Sequence, residues 1–419
     1  MKDNILKLFF CLLFVIGNVN AYAQEGVSDL EKRVKVLEEK LNQNKNFQVY
    51  WKNGPRMETS DKAFKVKIIG RMQIDWALFS EDEALKTEVG EFEDGIEVRR
   101  ARFGLSGNIY ENTEFKIEYD FSGGEPEPKD VYIGLRDIPV VGTVRIGHQR
   151  EPFSRIQGST KYNIFLEKGL QNAFSPGRNT GIRVLNASLQ ERLAWSAGIY
   201  YESDSLGNSI SEDAYNLTAR LSGLPWYEEK GQRFAHLGLA VSYKHLGEDG
   251  IRFRQRPESH LAPYLVNTDD IAADSANLIG TEAAIVFGPL SFVSEYIHAS
   301  VDAENGSDAN FKGYYILASY FLTGETRPFD TSEGKFSRLI PKKNFREALG
   351  STGAWELAAR YSDIDLNDED ISGGKLNCLT VALNWYLNPN TRLMSNYIFS
   401  DLDDIGDANI FQMRFQVDF

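Results

Sequence analysis

The segment "EVRRARFGLSG" at 97–107 sets Arg99, Arg100 and Arg102 almost side by side. A guanidinium carries its donors in a rigid planar fork that matches an oxyanion, so clustered arginines suit carboxylate, phosphate or sulfate groups. Like charges this close repel one another unless something anionic lies between them. The apolar residues around them fall on even positions before the pair (Ile96, Val98) and on odd positions after it (Ala101, Phe103, Leu105). Side chains of a strand alternate between two faces, so this flip of phase marks one extra residue, a β-bulge. A bulge at Arg99–Arg100 turns both side chains to one face, with Arg102 following. The competing reading is a solvated charge run paired with Glu97 and nearby acids.

Other cations share the polar face of alternating segments: Lys65, Lys67, Arg71, Lys116, Arg136, Arg145, Arg183, Arg220, Arg360 and Arg414. Acids sit among them, including Asp75, Glu118, Asp120, Glu282 and Glu356. The segment 150–180, which opens "REPFSRIQGSTKYNIF", contributes Arg150, Arg155, Lys161, Lys168 and Arg178. Nothing in the chain resembles a catalytic motif: G-x-S-x-G, H-E-x-x-H and G-x-x-x-x-G-K are all missing. The five histidines are scattered without ligand spacing, and His148 reads as a strand-end residue. Of two cysteines, Cys11 lies in the leader described below and Cys378 is then alone, so neither a disulfide nor a metal site is expected. No cofactor and no enzyme activity are expected. A net charge of −14 argues against nucleic acid as a partner. It leaves small anions open, because the location of charge matters more than its sum.

The elements that must position these residues read as strands. "FKVKIIGRMQIDWALF" puts Phe64, Val66, Ile68, Met72, Ile74, Trp76 and Leu78 opposite Lys65, Lys67, Arg71, Gln73 and Asp75. "TEFKIEYDF", "AYNLTARLS", "AWELAARYS" and the closing "FQMRFQVDF" repeat the pattern. Each could belong to a soluble sandwich. So many charges on one face, with aromatics near strand ends (Trp76/Phe79, Tyr119/Phe121, Trp385/Tyr386, Tyr397/Phe399), instead favour an antiparallel transmembrane β-barrel with lipid outside and water within. The strands predicted are 64–79, 96–109, 113–121, 130–137, 142–149, 181–189, 192–202, 214–222, 234–245, 277–287, 290–300, 311–322, 353–362, 376–387, 391–400 and 409–419. They number about sixteen, enough to leave an aqueous lumen, and 290–300 and 311–322 alternate least clearly.

Short connections (110–113, 138–140, 288–289, 388–390) alternate with long ones (80–95, 150–180, 246–276, 363–375), as periplasmic turns and outer loops do. The segment 150–180 is expected to fold into the bore and narrow it. The connection 323–352 breaks the parity: either a pair of strands lies within it, or the barrel makes a long periplasmic excursion there. Acid-rich "SEDEALKTEVGEFED", "DIDLNDED" and "DLDDIGD" fall on the outward side, as solvated loops or as partners for cations bridging lipopolysaccharide.

At the start, Lys2 and Lys7 flank an apolar run from Ile5 to Ile16, and "AYA" at 21–23 offers a small-x-small cleavage pattern. Residues 1–23 are thus expected to be a signal peptide cleaved near Ala23/Gln24. No later stretch approaches the ~20 consecutive apolar residues of a membrane-crossing helix, so a membrane protein of this sequence must be a closed barrel. In "VSDLEKRVKVLEEKLNQ" (27–43), Leu30, Val34, Leu37 and Leu41 form a short heptad pattern, read as a helix on the barrel or a small coiled coil joining protomers. Residues 24–62 are expected to be this periplasmic segment plus a linker, "NGPRMETSD" at 53–61, ahead of a barrel over 63–419.

"FEDGIEVRRARFGLSGNIYENTEFKIEYDFSGG", "KDVYIGLRD", "IGHQREPFS", "FLEKGLQNAFSPGRNTGI", "GAWELAARYSDID" and "LNWYLNPNTRLMSNYIFSD" together resemble the phosphate-selective porin O/P family of Gram-negative outer membranes. The resemblance spans roughly 63–419. It implies a homotrimeric sixteen-stranded porin in the outer membrane, with a constricting third loop and an Arg/Lys-lined path for phosphate or polyphosphate. The closing aromatic is similar to the family's assembly signal. Residue by residue, the family's double arginine falls on Arg99 and Arg100, the basic residue before "EPFS" on Arg150, the acid of "KDVY" on Asp130 and the arginine of "GRMQ" on Arg71. The expected constriction is therefore Arg71, Arg99, Arg100, Arg102, Asp130, Arg145 and Arg150. Lys116, Arg136, Arg183, Arg220, Arg360 and Arg414 would line the rest of the lumen. A weakly selective porin, and a structural envelope protein anchored by its barrel, are the alternatives.

Overall fold

The computed structural model describes residues 47–208, 213–304, 306–347 and 349–419; the expected leader and heptad segment lie outside them. The elements in chain order are β1 (Phe47–Trp51), β2 (Pro55–Thr59), β3 (Phe64–Glu81), α1 (Glu83–Val89), β4 (Gly95–Ile109), β5 (Thr113–Asp120), β6 (Glu127–Ile138) and β7 (Gly142–Arg150). Next come β8 (Arg178–Ser188), β9 (Leu193–Tyr201), β10 (Tyr215–Glu228), β11 (Arg233–His245), β12 (Arg254–Gln255), β13 (Val266–Asn267), β14 (Ala273–Phe287) and β15 (Leu290–Ala303). The chain ends with β16 (Ala309–Phe321), β17 (Phe329–Asp330), β18 (Lys335–Phe336), β19 (Ala354–Asp368), β20 (Ile371–Asn388), β21 (Thr391–Leu402) and β22 (Gly406–Asp418).

Sixteen of these form a closed antiparallel barrel: β3 to β11, β14 to β16 and β19 to β22. β22 closes the ring on β3, from Ala408↔Glu81 to Asp418↔Arg71. Phe419 finishes the seam. Its N–H donates to the Gly70 carbonyl and Gly70 N–H donates back, both at 3.0 Å. A Cβ at Gly70 would lie 2.3 Å from the Phe419 ring, so only glycine fits beneath the final aromatic.

Burial runs opposite to that of a soluble sandwich. On β22, Gln412, Arg414, Gln416 and Asp418 are buried, while Phe415 is 40% exposed; on β3, Arg71, Gln73 and Asp75 are buried, while Met72 and Trp76 are exposed. Polar groups fill the ring and apolar ones face outward, as hydrocarbon solvation requires. Stacked Trp355 and Trp385 (5.0 Å), with Phe345 against them, mark one girdle, and Tyr314, Tyr361, Tyr397 and Phe399 mark the other.

Several expectations are corrected. The linker at 53–61 is largely β2, paired with β1 and then with β3 at Arg56↔Lys67. Asn53–Gly54, both at positive φ, is the hairpin turn signal that was present in the sequence. The expected loop 363–375 is mostly strand: β19 and β20 meet at a two-residue turn, 369–370. "DIDLN" there alternates, with Ile364 and Leu366 fully buried and Asp365 paired outward with Lys375. Among its described residues, the connection 323–352 contains no barrel strand. It re-enters the lumen from the periplasmic end as the small β17–β18 hairpin, whose Phe329 packs on Phe234 at 4.8 Å and whose Phe336 N–H donates to the Ile156 carbonyl. Finally, the weak alternation of β15 and β16 has a tertiary cause. Their inner face is apolar (Val293, Ile297, Phe311, Leu317, Phe321) because folded-in segments cover it.

Candidate permeation pathway

Residues 151–177 leave β7 and cross the lumen. Phe153, Ile156, Phe165, Leu170 and Phe174 are buried against β14–β16, where Gly280 and Gly313 leave room for Phe153 and Phe174. Inward-facing polar residues of the last strands hold the segment's backbone. Arg414 clamps Asp75 with two bonds (2.6 and 2.5 Å), donates to the Leu166 carbonyl and reaches Glu167 at 2.9 Å. Arg360 binds Glu258 and the Glu167 carbonyl. Arg392, Asn384 and Gln416 donate to the carbonyls of Asn163, Ile164 and Lys161. Arg220 forks onto Glu282 (2.9 and 2.7 Å) and onto the Glu333 and Gly334 carbonyls of the periplasmic excursion. Arg220, Arg360 and Arg414 thus face inward, but as anchors for the folded-in segments.

The opposite wall, β3 to β8, gathers most of the other candidates. The bulge falls where the sequence places it: Gln73 pairs with Arg100 and Ile74 with Val98, leaving Arg99 as the extra residue. Both arginines converge on Glu167, Arg99 at 2.9 Å and Arg100 at 3.5 Å, and Arg100 also donates to Gln73. Burial opposes ionisation of Glu167, yet Arg99, Arg100 and Arg414 hold its carboxyl well below the usual range. Arg102 pairs with Asp120 at 2.7 Å. Asp130 accepts from Lys116 and, at 2.9 Å, from Arg178, so it organises cations. A second bulge, between Ile117↔Val131 and Tyr119↔Pro128, inserts Lys129 beside it, and the sequence reading missed that shift. Arg145 meets Glu114 at 2.5 Å, Arg136 lies 3.9 Å from the same carboxylate, and Arg183 donates to Ser196. Arg71 donates to the hydroxyls of Ser159 and Thr160 and makes no ion pair among the described residues, with Asp418 its partner in register.

Arg150 stands apart. Its guanidinium makes no hydrogen bond and no ion pair among the described residues; Arg178, Arg155, Asp130 and Arg102 are its electrostatic neighbours. It borders a cavity of about 310 Å³ together with Arg99, Arg100, Lys168 and Arg256, against the carboxylates of Glu167 and Glu258. Burial, then Arg150, pushes the Lys168 ammonium down to about 7, and its Nζ finds no hydrogen-bond partner among the described residues. Arg256, Glu258 and His260 arrive on the folded-in outer loop 246–272, where His260 meets Glu97 at 2.8 Å. Nothing in the sequence signalled that this loop turns inward.

The sequence profile described as phosphate-selective porin O and P matches residues 66–419. A protein of Caulobacter vibrioides is 28% identical over 396 residues, covering 89% of this chain and 77% of its own. Porin O of Pseudomonas aeruginosa is 24% identical over 400 residues, covering 85% of this chain and 88% of its own. Among solved structures, in-vitro folded OmpT of Vibrio cholerae superposes with a TM-score of 0.55 at 12% identity (85% of this chain, 98% of that one). The trimer form of OmpT gives 0.52 at 10% identity (85% and 100%). The outer-membrane channel DcaP of Acinetobacter baumannii gives 0.52 at 12% identity (86% and 99%). The closed ring, its lipid-facing exterior and the profile match over nearly the whole barrel lead to one conclusion: the chain belongs to the phosphate-selective porin O and P family and is a sixteen-stranded porin of the outer membrane.

Proposed function

We propose that this porin passes small anions, phosphate and polyphosphate among them, along the wall formed by β3 to β8. The observation that carries the reading is the uneven charge around the cavity, where Arg99, Arg100, Arg150, Lys168 and Arg256 face only Glu167 and Glu258. An anion entering there meets Arg150 and Lys168 without having to displace a protein carboxylate from either. Arg71, which makes no ion pair among the described residues, lies further toward the periplasm and continues the path. The family description and the likeness to Porin O support phosphate as the first ligand to test. Titrating orthophosphate into a chloride-carrying single channel should block current at concentrations far below the chloride present. Undiminished current at equal concentrations of the two anions would refute the reading.

The working unit is taken to be a homotrimer seated in lipid and lipopolysaccharide. The family likeness, the trimer form of OmpT and the heptads at 27–43, read as a periplasmic coiled coil behind a cleaved 1–23 leader, support this. A weakly selective porin is the second reading, favoured by the acids that pair with Arg102, Lys116, Arg145 and Arg178. Equal potassium and chloride permeability would establish it. A barrel serving only as an envelope anchor would give no solute uptake in liposome swelling.

A further inference from the structure

The cavity at the arginine cluster holds more than cations. Ser175 and Ser259 border it, and the Oγ atoms of both are buried without a hydrogen-bond partner among the described residues, as is Lys168 Nζ. Asn172, on the same border, makes no side-chain hydrogen bond among the described residues. Buried polar groups are nearly always paired, so three orphaned atoms around one opening indicate partners that arrive from solution. Serine hydroxyls and an asparagine amide both donate and accept, as the hydroxyl groups of an organic ester do. The volume points the same way. About 310 Å³ is roughly ten times one water's ~30 Å³ share of the liquid, and it reaches the range of pockets that hold small organic ligands, about 300–1,000 Å³.

We infer that the cavity between the 151–177 segment and the 246–272 loop is a binding site for hydroxylated phosphate monoesters of sugar-phosphate size, with Arg150 and Lys168 holding the phosphate and Asn172, Ser175 and Ser259 pairing with the ester's hydroxyl groups. This rests on the anion-channel reading above and narrows its substrate class. A doubly charged hexose phosphate and orthophosphate carry similar charge near pH 7.5. A preference between them therefore reports the hydroxyl contacts rather than the cations.

The test uses the full-length porin in a planar bilayer. Glucose 6-phosphate and orthophosphate are titrated separately into the same chloride-carrying channel, and the half-blocking concentrations are compared. Glucose 6-phosphate should block at a concentration about fivefold lower. The double variant Ser175→Ala/Ser259→Ala, which removes two small hydroxyls and leaves the cations in place, should weaken glucose 6-phosphate block about tenfold and orthophosphate block much less. Lys168→Met should weaken both to a similar extent. If both anions block but orthophosphate blocks as well or better, or the double variant weakens both alike, the sugar-phosphate assignment is overturned and the anion channel stands. If neither anion blocks at any accessible concentration, the parent reading fails with it.

Discussion

Arg150 ends β7, where the chain turns from the wall into the lumen, and among the described residues no carboxylate is ion-paired with it, Asp130 acting only from a distance. Two unit charges 4 Å apart interact by about 1 kcal/mol in water and about 4 kcal/mol at an effective dielectric constant near 20; a wet, protein-lined bore lies between those limits. Arg150→Glu should therefore raise the half-blocking phosphate concentration at least about tenfold, and Arg150→Ala somewhat less, as read by titration of single-channel current. Arg99 and Arg100 should be less sensitive one at a time, because Glu167 already offsets part of their charge. Lys168 adds a pH dependence. Held near 7 by burial and by Arg150, with Glu295 opposing and Arg155 reinforcing, it is an ammonium in acid and a neutral amine in base. Anion preference should fall as pH rises from about 6 to 8, and Lys168→Met channels should lose that fall. A preference that rises with pH would contradict the assignment.

At the scale of elements, the folded-in segments depend on residues that look like pore lining in the sequence. Arg414 binds Asp75, Glu167 and a backbone carbonyl at once while fully buried. Replacing it with Met takes the paired cation from buried Asp75 and one of three from Glu167, and breaking such a buried pair costs about 3–5 kcal/mol. Arg414→Met should lower the temperature at which the folded band converts to the unfolded one on gel electrophoresis, and should raise single-channel conductance as residues 151–177 loosen. An unchanged conductance would mean that the apolar contacts and the remaining anchors, Arg360, Asn384, Arg392 and Gln416, hold the segment without Arg414. These anchors explain why the site was only partly legible. The bulge at Arg99–Arg100 could be read from a flip in apolar phase, because that signal is local. The second bulge was hidden, since Pro128, Lys129 and Asp130 break no apolar series. Whether an inward arginine lines water or grips a loop depends on which loop lies against it, and no local pattern carries that. The strands themselves were legible wherever one face met lipid and the other water. They blurred at β15 and β16, where the inner face is largely apolar as well.

For the whole molecule, the lumen divides into two walls of different character. β14 to β16, with β19 to β22, support the packed segments; β3 to β8 carry the arginines past which ions would move. Closure of the ring makes that division possible, and it ends on the contact between Phe419 and Gly70. Gly70→Val should push the last ring off its seat and reduce the yield of folded, heat-modifiable barrel in outer-membrane fractions, whereas Phe419→Tyr should be tolerated.

The central claim concerns the sign of the charge that ions meet, and the zero-current potential of the porin across a potassium chloride gradient measures it directly. The expected result is a potential of the sign set by chloride, shrinking toward zero in an Arg150→Glu/Lys168→Glu channel. A potential at zero or of the sign set by potassium in the unaltered protein would contradict an anion-selecting wall.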